Sequence, residues 1–119
     1  MKKVLIAALL LISITSISEA QWGSRNTTVA VGEVSGSVTA VQLPTVSGTL
    51  CAIKAVNSNA GDVYVGGAGV TVVNGTTDIT SGIELAAGET TGWIPCGNLN
   101  TFYIITDNAG DDITYMVIN

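Results

Sequence analysis

The chain has no histidine, and only four of its 119 residues are lysine or arginine. Without an imidazole, neither a Ser-His-Asp nor a Cys-His catalytic arrangement can be assembled, and a zinc ion would depend on two cysteines and carboxylates alone. The basic residues are Lys2, Lys3, Arg25 and Lys54. Against a net charge of −5, they leave the body of the chain nothing with which to neutralise a phosphate backbone or hold an anionic membrane surface, so nucleic acid is excluded as a partner. Charged residues of both signs make up only 11% of the chain and hydrophobic residues 47%, the reverse of a disordered composition. The length allows one small folded domain.

The acids offer little chemistry. Asp107, Asp111 and Asp112 fall in one turn, but their spacing does not match a calcium loop, and a solvated turn is the default reading. Acid pairs for glycoside hydrolysis meet the same objection: they lie in turns, in a domain too small for a long cleft. No cofactor motif occurs. The expectation is a protein without catalytic residues, metal or cofactor.

The first twenty residues form a separate unit. Lys2-Lys3 is followed by an apolar run from Val4 to Ile17 and by Ser18-Glu19-Ala20, with small residues where a signal peptidase reads them. This predicts an apolar, signal-like helix cleaved after Ala20. The run is shorter than the ~20 residues that cross a bilayer core, which argues against an uncleaved anchor. Residues 21–36 read as a polar amino-terminal arm with a first short strand. In that arm Trp22 is open to two readings, a contact for a partner surface or a ring folded back over its own domain.

Residues 37–119 carry the rhythm of an all-β fold: Val, Ile, Thr and Tyr in short runs, punctuated by Gly, Asn, Ser and Asp. Strands are expected at 27–31, 37–43, 49–56, 63–65, 83–85, 92–96, 101–106 and 113–118, enough for a two-sheet sandwich. Asn57-Ser58-Asn59-Ala60-Gly61 is turn chemistry between two apolar runs and predicts a central β-hairpin. Asp107 to Asp111 predicts another at the end of the chain. Placing Lys54 outward sends Cys51, Ile53 and Ala55 into the core; likewise Val63 and Val65 point in and Tyr64 out. The stretch from Gly66 to Gly82 reads as a long surface loop.

Cys51 and Cys96 are the only cysteines. In an exported chain, two inward-facing cysteines suggest a disulfide worth about 4 kcal/mol by chain entropy. The alternative is a pair of buried thiols acting as small hydrophobes.

Several stretches carry a resemblance: Val41-Gln42-Leu43-Pro44, Ile53-Lys54-Ala55, Asn59, Val63-Tyr64-Val65-Gly66-Gly67, Gly69-Val70, Leu85-Ala86-Ala87-Gly88-Glu89, Asn98-Leu99-Asn100 and Tyr103-Ile104-Ile105. Together they resemble small tailed-phage virion proteins, β-sandwich modules of the capsid-decoration or head-fibre kind, over roughly residues 38–118. The resemblance implies a small antiparallel, jelly-roll-like sandwich that is not an enzyme. It also implies a place on the virion among other virion proteins, as a homo-oligomer such as a trimer. Two features depart from that family: the export signal, since tailed phages assemble in a reducing cytoplasm, and the insertion Thr76 to Thr80.

An exported bacterial surface or matrix protein is therefore a rival reading. A carbohydrate-binding module is another, with Trp93, Tyr64 and Tyr115 as stacking faces for a glycan. In each case contacts are expected from the arm, through Trp22 and Arg25, and from the long loop, through Gly67, Val70 and Asn74.

Overall fold

A computed structural model describes residues 27–75 and 79–119. The signal-like helix expected over residues 1–20, and Trp22 and Arg25 of the arm, lie outside the described residues. Eight strands follow one another: β1 (Val29–Ser35), β2 (Val41–Gln42), β3 (Leu50–Ala55), β4 (Val63–Gly66), β5 (Ile83–Leu85), β6 (Ile94–Pro95), β7 (Tyr103–Thr106) and β8 (Asp112–Ile118). One 3₁₀ turn, Leu99–Thr101, is capped by Asn98, whose Oδ1 accepts the Asn100 N–H.

The strands form two antiparallel four-stranded sheets, ordered β1-β8-β3-β6 and β2-β7-β4-β5. Between them lies a core of Ile53, Val63, Val65, Leu99, Ile104, Ile113 and Val117 among others, and this is an all-β, sandwich-like fold. The pairs β1·β8, β2·β7, β3·β6 and β4·β5 are nested, as though one long hairpin had been rolled up. Among the described residues only β4 and β5 are both consecutive in the chain and neighbours in a sheet.

That order corrects both predicted hairpins. Residues 57–61 carry the chain from β3 in one sheet to β4 in the other, and residues 107–111 carry it from β7 to β8 in the same way. Turn chemistry reverses a chain, but it does not say which sheet receives the next strand. The two crossovers are fastened to each other. Asp111, 4% exposed, accepts the Ala60 N–H at 2.9 Å and the Gly61 N–H at 3.1 Å, together with the Asn108 side-chain amide at 3.1 Å. Beside it the Asn59 amide donates to the Asp112 carbonyl and accepts the Asp112 N–H, at 2.9 and 2.8 Å, in the manner of a strand neighbour.

Three strand expectations also change, and one of them, 92–96, shrinks to Ile94–Pro95. The first strand runs through Gly32 to Ser35, because Gly32 pairs with Tyr115 and leaves the space that the Tyr115 ring occupies; a Cβ on Gly32 would overlap the Tyr115 hydroxyl. The second, expected over 37–43, shrinks to Val41–Gln42. The alternation of the third holds: Cys51, Ile53 and Ala55 are fully buried and Lys54 is exposed.

Candidate functional site

The chain treats the two outer faces of the sandwich differently. On the β2-β7-β4-β5 sheet, Tyr64 lies between Ile105 and Glu84 in register, and the long connection folds back over it. A Cβ on Gly82 would lie 2.8 Å from both Tyr64 Cβ and Val70 Cγ2. The base of this connection is held by hydrogen bonds from the Thr71 N–H to the Thr80 carbonyl, 2.9 Å, and from the Gly82 N–H to the Thr71 carbonyl, 3.0 Å. Tyr64 therefore keeps the outer side of its strand but is only 5% exposed, because the connection covers it.

The Tyr64 hydroxyl donates to Asp107 Oδ2 at 3.5 Å. Burial first, then the Asp107 charge, push its pKa up to about 12, so it stays a neutral phenol near neutral pH. Glu84 at the rim is held above the ordinary carboxylate range, chiefly by a hydrogen bond with Asp62 and then by partial desolvation and the surrounding acids. In contrast, the Asp111 carboxyl lies below its usual range. Burial opposes its charge, but the hydrogen bonds from Ala60, Asn108 and Gly61 outweigh that. Its oxygens are engaged in fastening the crossovers.

The outer face of the β1-β8-β3-β6 sheet stays open among the described residues. Its registers lay out three rows. The first is Val29, Ile118, Leu50 and Pro95; the second is Val31, Met116 and Ala52; the third is Glu33, Thr114 and Lys54. Val29 and Val31 are 57% and 65% exposed, Met116 38%, and Trp93, just before β6, 50%. A shallow depression of about 530 Å³ lies over the second and third rows, where small Ala52 sits beside Met116. A second hollow, of about 460 Å³, opens near β4, β5 and β6; Val65, Ile83, Ile94 and Phe102 line it, and none of its lining side chains is titratable.

No known family profile, curated protein or solved structure matches this chain.

Cys51 and Cys96 are joined, with Cα atoms 5.9 Å apart across 45 positions of sequence. The bond ties edge strand β6, which makes only two register pairs, to β3. Gly67 and Asn74 lie exposed on the long connection, whereas Val70 turns inward against Gly66 and is 4% exposed. Of the three rings considered for stacking, Trp93 is exposed, Tyr64 is buried and Tyr115 packs against the core.

The open face itself was not legible as a site. In Val29-Ala30-Val31-Gly32 the larger residues look like the core side, yet Ala30, Gly32 and Val34 face inward because Tyr115 fills the room above Gly32. The available signal was two valines alternating with small residues on a strand whose partner carries a tyrosine. Chemically, the face presents methyl groups, a thioether and an indole, with one charge of each sign at its edge. Such a surface is suited to docking.

Proposed function

We propose that this chain is a non-enzymatic structural protein that decorates the surface of a phage particle, and that its sandwich is a jelly roll. The observation that carries the reading is the solvent-facing apolar patch of Val29, Val31 and Met116 on one sheet of a small cross-linked domain. An apolar patch of this kind on a small domain marks a surface that another molecule covers. The nested strand pairing supports the jelly-roll assignment, and jelly rolls recur in viral capsid proteins. The likeness to tailed-phage decoration modules points the same way.

The disulfide favours a second reading, an exported bacterial surface or matrix protein, because such bonds persist in oxidising compartments. Mass spectrometry of gradient-purified particles from the source separates the two. The chain is expected to co-purify at a copy number comparable to that of the shell protein, and Met116→Asp is expected to remove it from the particle without changing its melting temperature. Recovery only from the envelope or the medium would overturn the virion reading.

A further inference from the structure

Resting on the reading of this face as an assembly surface, we infer that its occupant is a second copy of the same chain, docked face to face about a two-fold axis running along β8. The argument is one of charge and register. The described residues carry seven carboxylates, Glu33, Asp62, Glu84, Glu89, Asp107, Asp111 and Asp112, against one cation, Lys54. That cation stands on the open face, exposed and without an ion pair among the described residues. It shares its row with Glu33, and Thr114 on β8 lies between them in register with both.

Adjacent strands are about 4.8 Å apart, so the Glu33 and Lys54 backbones lie about 10 Å apart, one on each side of β8. A two-fold axis above β8 and parallel to it keeps every row at its own height while exchanging the two sides. Glu33 of one copy then stands over Lys54 of the other, and both pairs form at once, as an isologous interface requires. In the same operation Val31 meets Ala52, Met116 meets Met116, Val29 meets Leu50 and Ile118 meets Ile118, while Pro95 of β6 falls beyond the partner's β1. A two-fold axis running across the strands places neither charge opposite its complement.

An acidic partner of another kind would satisfy Lys54 but leave Glu33 facing like charge. A glycan would leave the valines of β1 uncovered. The face is small, about 400 Å² of sheet plane per copy at these spacings, below the area typical of a stable interface. The pair is therefore expected to be a weak dimer, reinforced by repetition in a larger assembly.

Charge reversal tests this on the full chain as its host produces it. Sedimentation equilibrium is run from about 1 to 500 µM, a range that covers weak dimers, with a thermal melt on each variant to establish folding. Wild type is expected to form a two-fold dimer. Lys54→Glu and Glu33→Lys are each expected to raise the dissociation constant about tenfold or more, since each change creates two like-charge contacts in the symmetric pair. The doubly reversed chain is expected to recover to within about threefold of wild type, because opposite charges again face one another.

A wild type that stays monomeric, a trimer, or single reversals that dimerise unchanged would overturn the inference, as would a double variant no better than the singles. The two proposals fail separately. A monomer that still enters particles sinks the dimer alone, whereas a charge-swappable dimer absent from particles sinks the virion reading alone.

Discussion

Asp111 is the residue on which the arrangement of the two crossovers turns. A buried carboxylate accepting three N–H groups is stabilised in its charged form, whereas the donors on exposed Ala60 and Asn108 can turn to water when it is lost. Asp111→Ala is expected to cost about 1.5–3 kcal/mol, the range for hydrogen bonds to a charged group. The pH dependence has a definite sign. Because the folded pKa is depressed, this stability is fully present above the ordinary aspartate value of about 3.9 and is lost as pH falls below it through the folded value. Melting temperature measured between pH 2 and 7 should show that acid limb in wild type and a shallower one in Asp111→Ala. An unchanged limb would mean that other carboxylates govern acid unfolding.

At the scale of elements, one of the two shortest strands is also the one locked covalently. β6 contributes two register pairs to β3, the Cys96 N–H adds a bond to the Thr49 carbonyl at 3.0 Å, and the Cys51–Cys96 bridge supplies the permanence that so short a ladder lacks. Closing this loop is worth about 4 kcal/mol in the chain-entropy account. Reduction, or replacement of both cysteines by alanine, is therefore expected to lower Tm by something on the order of 20 °C. It should also loosen β6 with Trp93 and Pro95, visible as a shift in Trp93 fluorescence before global unfolding. Rapid alkylation of wild type after denaturation without reductant would show that the bond is absent in the native protein.

For the whole molecule, nesting has a kinetic consequence. β1 pairs along its full length with β8, so the first and last strands must find each other across nearly the entire described chain. Non-local pairing of this kind requires loop closure before contacts reward it, and all-β domains of such topology fold in milliseconds to seconds. Stopped-flow refolding of the oxidised chain should fall in that range, with the unfolding arm alone accelerated by reduction if β6 joins after the transition state. Refolding in microseconds would contradict a mechanism that waits for β1 to reach β8.

Local patterning was enough to establish an all-β chain, the approximate positions of most strands and the inward direction of Cys51, Ile53 and Ala55, because period-two alternation and turn residues act over a few positions. It also turned Cys51 and Cys96 inward and suggested the disulfide that joins them. Tertiary structure alone decided the rest. Asn57 to Gly61 became a crossover because β3 found its partners in β8 and β6, far along the chain. Tyr64 was buried by Gly82 and Val70, eighteen and six residues away in sequence. Val29 and Val31 turned to solvent because the Tyr115 ring needed the place that Gly32 leaves empty. Which face of a strand is the inside depends on what its neighbours bring to it, and here those neighbours lie at the opposite end of the chain.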